Sequence, residues 1–386
     1  MIRRLTREKS IVVCVGPGGV GKTTTSAALG VLAARDGRRV LVSTIDPAPR
    51  LADALGVPLT AEPVAVPEAA CRTLGIAPGI LHVARLDTAR AFANLVDELV
   101  PDAAMRRRIF ENPIYRQITT TLTGSQEYAA TLALYDVARR HDFELVVLDT
   151  PPTAHALDFL EAPRRIADAI NSPVIGWFAR PVGSGRFSLH RLRAGGALLL
   201  KRLAKFVGAR FLEDVAAFLT DFQTVLGGFL ERAQSVEKLL RREDSAFVLV
   251  LAPERPAVDE ALFFGDRLRQ AGISLSGFVA NRVQPPVPDA DAHDVATWLR
   301  ARPELAEVST ADLDLTAERL ARTALDLRHV AEGERRELAR LQQAAPGLPV
   351  VEIPRLPDEA STLAALARIG DVLAGGDGLG RPPNGG

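Results

Sequence analysis

Short continuous apolar runs alternate along the chain with longer stretches in which apolar residues recur at helical spacing. Ile11–Val15, Val40–Ile45, Ile80–Leu86, Leu145–Asp149, Phe247–Ala252, Phe278–Asn281 and Val350–Ile353 are the runs that predict strands. They lack the in/out alternation of a half-solvated sheet, so they suit a parallel sheet covered on both faces. Thr23–Arg35 predicts a helix closed by Gly37. Strand and helix signals in alternation predict a doubly wound α/β fold, mostly parallel, with about seven or eight strands.

Two long stretches carry no strand signal. Thr88–Arg140 reads as helical with a break near Asn112–Pro113. Leu160–Arg242 reads as mostly helical after a loop rich in glycine and proline, and Val215, Phe218, Phe222, Val225, Phe229 and Leu230 form one apolar stripe within it. Asp289–Gln343 is a third helical piece, polar and rich in Arg, Glu and Ala. At about 150 residues per domain, 386 residues suit two or three domains or one large α/β domain with insertions. The expectation is a single domain over 1–374 with a helical subdomain inserted at about 88–140 and 160–242. The tail 375–386, GGDGLGRPPNGG, reads as disordered.

Composition narrows the function class. Forty-seven basic residues balance forty-seven acidic ones, which argues against a general nucleic-acid binder. Two cysteines, Cys14 and Cys71, cannot build a disulfide framework, and the charged start MIRRLTREKS is no secretory signal, so the expected compartment is the cytoplasm. No apolar run reaches about 18 residues. Only five of the basic residues are lysines, so the place of each one matters.

One of those lysines is Lys22, in Gly16-Pro17-Gly18-Gly19-Val20-Gly21-Lys22-Thr23. This fits G-x-x-x-x-G-K-[ST], between the first strand and the first helix, where a phosphate loop belongs. The expected parts are the amides of Gly18, Gly19, Val20, Gly21, Lys22, Thr23 and Thr24 around phosphates, Lys22 on the β/γ-phosphates and the Thr23 hydroxyl on Mg²⁺. Asp149 closes the run LVVLD and is the expected acid of the metal shell. Asp46, at the end of the second run, is a candidate to orient the attacking water, since a phosphate loop supplies no base. The fold class is thus α/β of the P-loop NTPase type, with ATP as substrate and Mg²⁺ as cofactor.

GPGGVGKTTT, STIDPAPRLADALG and VVLDTPPTAHALDFL together resemble the ArsA-type ATPase family. That family includes bacterial arsenite-pump ATPases and the eukaryotic ATPase that delivers tail-anchored membrane proteins. The resemblance runs from about residue 10 to 370. It implies a dimerising ATPase in which Asp46 orients water, Asp149 contacts Mg²⁺ through water, Asn281 of VANRV reads adenine, and Pro354 and Leu356 of EIPRLPDEA lie near the base. NPIYRQITTTLTGSQEY is closer to the bacterial subgroup, some of whose members work as paired paralogues. The implied partners are a second copy or an ArsA-like paralogue, with a membrane protein or apolar helix as client.

The departures sharpen this. The family's loop usually reads GKGGVGKT, with an extra lysine that reaches across the dimer; this chain has Pro17 there, and proline carries no charge. The expectation is a slow ATPase alone, or a nucleotide-dependent binding subunit acting with a lysine-bearing paralogue. Arsenite capture and structural zinc need clustered thiolates or Cys/His sets, so neither zinc nor an iron–sulfur cluster is expected; Cys14 reads as a core residue and Cys71 as a loop residue. His155 reads as structural. Between Arg180 and Arg210 eight basic residues and no acid are interleaved with phenylalanine and leucine. That segment reads either as a surface for an anionic membrane, which would make the protein peripheral at a membrane, or as a helix with a solvated arginine face. A third class, a partition-type ATPase, is disfavoured by the long helical insertion.

Overall fold

The computed structural model describes residues 1–45, 50–58, 60–86, 88–113, 115, 125–140, 142–150, 168, 225, 227–228, 230–356 and 362–376. The expected stripe from Val215, the basic segment 180–210, His155, Asp46 and most of the tail therefore lie outside the described residues, save Val225 and Leu230. The chain divides into two compact units, one of 1–84, 143–153 and 243–386, the other of 85–142 and 154–242.

The first unit is built on an eight-stranded sheet: β1 (Ile11–Val15), β2 (Val40–Thr44), β3 (Val64–Ala65), β4 (Leu81–Arg85), β5 (Leu145–Asp149), β6 (Ser245–Leu251), β7 (Leu275–Val283) and β8 (Val350–Pro354), in the order β3-β4-β2-β5-β1-β6-β7-β8. Each of the seven apolar runs is a strand, with ends shifted by a few residues. The eighth, β3, is a two-residue edge strand antiparallel to β4, too short to leave a periodic signal. β1, β2, β5 and β6 are buried along their whole length, as runs covered on both faces must be.

Helices in this unit are α1 (Ile2–Glu8), α2 (Lys22–Arg35), α3 (Arg50–Leu55) and α4 (Glu68–Leu74), which precede β5. α2 is the central one, buried on almost every side, which is why its residues are small and apolar (Ala27, Ala28, Val31, Ala33, Ala34) instead of striped. The charged start of the chain forms α1, which buries Ile2 and Leu5 and anchors Arg7 on Asp36 at 2.8 Å. Cys71, expected in a loop, lies instead on α4, because Ala70, Cys71 and Leu74 form a buried helical face.

The second unit begins with α5 (Thr88–Leu99), α6 (Ala103–Glu111) and α7 (Ser125–Arg140). The expected break near Asn112 ends α6, but an earlier one at Val100-Pro101-Asp102 separates α5 from α6, and Asp102 caps α6 by accepting from Ala104 N–H at 2.9 Å. Residues 230–240 are helical. Arg232, on that helix, is buried beneath its own ion pairs. It donates to Asp136 of α7 at 2.8 Å and pairs with Glu98 of α5, with its guanidinium 4.9 Å from the Tyr135 ring.

The remaining helices belong to the first unit: α8 (Arg255–Gln270), α9 (Ala292–Arg300), α10 (Thr310–Ala344) and α11 (Leu363–Leu373). The polar stretch read as one helical piece is thus two helices joined by a 3₁₀ turn at Pro303–Leu305, with Asp291 and Ser309 as N-caps. α9 and the start of α10 close a small core of their own around Ala296, Leu299, Leu313 and Ala317. No helix among the described residues is long and apolar enough to cross a membrane.

Candidate nucleotide-binding site

Parallel register sets the site. Pairing of β5 with β1 places Asp149 beside Cys14, and pairing with β2 places it beside Thr44. Asp149 therefore emerges at the carboxyl ends of the central strands, where β1 hands over to the loop 16–21 and then to α2. Open α/β sheets bind ligands at such ends.

The loop is held from three sides. Gly16, at φ 151°, lies so close to β6 that a Cβ there would meet the Val250 carbonyl oxygen at 2.0 Å. Gly21 caps α2 in the left-handed region at φ 94°. From β7, the buried Asn281 amide donates to the Val20 carbonyl at 2.8 Å. Gly18 and Gly19 are exposed, so the loop's outer amides face solvent.

Lys22 is buried, and its ammonium donates to the Pro17 carbonyl at 2.8 Å. A buried ammonium needs an oxygen partner, and a phosphate arriving in the loop would offer a stronger, charged one. Thr23 donates from its hydroxyl to Asp149 Oδ2 at 2.7 Å, and Thr44 donates to the same oxygen at 3.2 Å. Asp149 is buried. A hydroxyl and a carboxylate in contact beside a phosphate loop are hard oxygen donors, the set that suits Mg²⁺, which is held by one or two side chains plus phosphates and water. Among the described residues no group of three or more His, Cys, Asp or Glu could hold a metal ion.

Neither thiol is activated by its surroundings. Burial pushes the Cys14 thiol up to about 12. Cys71 is also raised by burial and donates to the Val66 carbonyl at 3.3 Å. Both are neutral at physiological pH, and a neutral thiol is a poor metal ligand.

A cavity of about 330 Å³ opens beyond Asn281, lined also by Pro253, Glu254, Arg282, Glu334, Pro354 and Leu356. Two distant parts of the sequence, Asn281 on one side and Pro354 with Leu356 on the other, are thus brought to one cavity. Asn281 joins it to the loop through Val20. Asp46 lies outside the described residues. The sequence reading did not single out Thr44 or Glu334. Thr44 stands two residues before Asp46 at the end of the second strand, a position that could have flagged it. Glu334 had a fainter signal: it falls on the helical seam Leu313, Ala317, Leu320, Ala324, Leu327, Ala331, Leu338 and Leu341, as its one charged member.

Comparisons with known proteins agree with this geometry. A family model for the anion-transporting ATPases of the ArsA type matches residues 9–175. The chain is 25% identical to ATPase GET3 of Malassezia globosa over 74% of this chain and 77% of that protein. It is 32% identical to an ATPase ASNA1 homolog of Entamoeba dispar over 41% of this chain and 47% of that one. It is 24% identical to putative arsenical pump-driving ATPase 1 of Aquifex aeolicus over 71% of this chain and 63% of the relative. The matched segment thus spans about three quarters of the first relative and about half of the second. A phosphate loop at the carboxyl end of β1, a threonine–aspartate pair beside it and these relatives lead to one conclusion: over residues 9–175 the chain carries an ATPase domain of the ArsA type.

Proposed function

We propose that this protein is a Mg²⁺-dependent ATPase that works as a dimer and couples its nucleotide state to binding of a partner or client. The observation that carries the reading is the Thr23–Asp149 contact beside the Lys22 loop. In this reading the amides of Gly18 to Thr24 take up the phosphate oxygens, and Lys22 leaves the Pro17 carbonyl for the β- and γ-phosphates. Thr23 and Asp149 would hold Mg²⁺, the latter through water, and a bound ion there would supply charge neutralisation to the phosphates. Thr44 fixes the Asp149 carboxylate so that it faces the metal. Asp46 positions the attacking water. Asn281, Pro354 and Leu356 receive the adenine. The expected domain plan, one ATPase domain with a helical insertion, gives the client a surface to act on, and the expected cytoplasmic setting suits ATP supply. The test is steady-state ATP hydrolysis with Mg²⁺ and with chelator. Lys22→Met is expected to lower turnover by about 10²-fold or more, as loss of a transition-state charge contact does, and hydrolysis that persists in chelator or in this variant refutes the reading.

A second reading rests on Pro17. Its position carries no cation to offer a partner's nucleotide, so the chain would bind ATP and leave most hydrolysis to a complex with a lysine-bearing paralogue. Trans cations are worth ~10³–10⁵ in rate in other P-loop enzymes. Pro17→Lys is expected to raise turnover of the purified protein severalfold or more; unchanged turnover counts against a missing trans cation as the limiting feature.

A further inference from the structure

Glu334 is the one acidic member of the seam along α10, and it is 94% buried at the wall of the cavity beyond Asn281. Its placement is specific. Oε2 accepts the backbone N–H of Gln284 at 2.6 Å, and the other oxygen lies 3.8 Å from the Arg355 guanidinium. The residues it holds, Gln284 and Arg355, directly follow β7 and β8, next to the place where β7 slips register against β8 between Ala280 and Val283. Arg282, within that irregularity, sits at φ 62°, the only described non-glycine residue with positive φ. A buried carboxylate here therefore fastens the long helix to the irregular end of β7, next to Asn281.

A carboxylate has about four acceptor sites, and these two partners leave acceptor capacity facing the cavity. Adenine presents an amino donor at the position where guanine presents the O6 acceptor. The cavity also carries the Arg282 and Arg355 side chains, but at Glu334 itself a carboxylate can only accept hydrogen bonds, so it pairs with the first and repels the second, and sites with buried polar groups discriminate strongly against the mispaired analogue. Leu356 and Pro354, apolar and in the same cavity, supply contacts that any base would satisfy equally.

Resting on the reading of this cavity as the base site, we propose that Glu334 is the specificity-determining residue for adenine over guanine nucleotides. Its carboxylate accepts from the exocyclic amino group of adenine, while its bond to Gln284 keeps the bulge of β7 in place.

Equilibrium binding of ADP and of GDP, each with Mg²⁺, to the full chain tests this by calorimetry in wild type, Glu334→Gln and Glu334→Ala, with melting curves for each. Glutamine keeps an oxygen for Gln284 N–H but adds a donor that guanine O6 can use. The expected result is a wild-type preference for ADP of about tenfold or more that falls at least fivefold in Glu334→Gln, mainly through tighter GDP binding. Equal weakening of both nucleotides, or an unchanged ratio in a folded Glu334→Gln, overturns the specificity role and leaves the site assignment standing. A folded wild-type chain that binds neither nucleotide overturns both. Should Glu334→Ala fail to fold, the glutamine variant alone decides.

Discussion

Replacing Gly21 by alanine should reveal how tightly the phosphate loop is tied to β7. Gly21 adopts φ 94°, and a Cβ built on it would lie 2.2 Å from the Asn281 amide nitrogen. Two costs follow. The backbone conformation itself is worth about 1–2 kcal/mol for an L-residue in the left-handed region. The methyl also drives the Asn281 side chain off the Val20 carbonyl, and losing that bond while its acceptor stays buried costs roughly 1–3 kcal/mol. Together Gly21→Ala should destabilise the first unit by about 3 kcal/mol. The two parts can be separated, because only the second depends on Asn281. In an Asn281→Ala background the clash is gone and the bond is already lost, so Gly21→Ala should then cost only its backbone part. Urea unfolding of wild type, both single variants and the double variant gives the coupling, expected at about 1–2 kcal/mol with the double variant less damaged than the sum. Binding of a fluorescent ADP should fall in both single variants, since each releases the loop from the base-side strand. Strict additivity, within about 0.5 kcal/mol, would refute the idea that Gly21 is required by the approach of Asn281 and leave only its φ as the reason.

Two further expectations follow from the buried charged and titratable groups. The Cys14 thiol is raised in the folded state to about 12 from an ordinary 9.0, so the folded state favours the protonated form. Its contribution is fully present below pH 9 and is lost as pH rises towards 12, at up to about 1.4 kcal/mol per pH unit. Unfolding of Cys14→Ala should therefore depend less on pH than wild type between pH 9 and 11, and a thiol reagent at pH 8 should label the native chain only after denaturation; rapid stoichiometric native labelling would contradict this burial. In the second unit, Arg232→Lys keeps the charge but loses the fork that spans Asp136 and Glu98. With Glu98 half exposed, the loss should be modest, about 1–2 kcal/mol in a denaturant melt, and a variant as stable as wild type would show that the fork is not used.

Some of this molecule is legible without coordinates. Short continuous apolar runs bounded by turn residues suit buried strands, so the seven longer strands of the sheet are legible from pattern and length together. The phosphate loop is equally legible, since its glycines and Lys22 are required locally, by backbone geometry and by the phosphates themselves. Asp149 is legible because it ends an apolar run. Where the signal fades, a local cause is visible. β3 is too short to show alternation. α1 is a charged stretch whose two buried apolar residues, Ile2 and Leu5, matter only against the rest of the fold. Cys71 reads as a loop residue until Ala70 and Leu74 are seen to share its buried face.

What the sequence by itself determined is the class of chemistry: a loop built to take phosphates and a carboxylate at a strand end. Only the tertiary structure decided which distant residues meet. Thr23 and Asp149 touch because parallel register carries β5 to the level of β1 and β2. Asn281 reaches Val20 across 261 positions, and Glu334 reaches Gln284 from a helix whose composition says only that it is polar. Such contacts depend on strand order and on the packing of one helix on a sheet, and no local pattern encodes them, because each partner, taken alone, is an ordinary residue of its element.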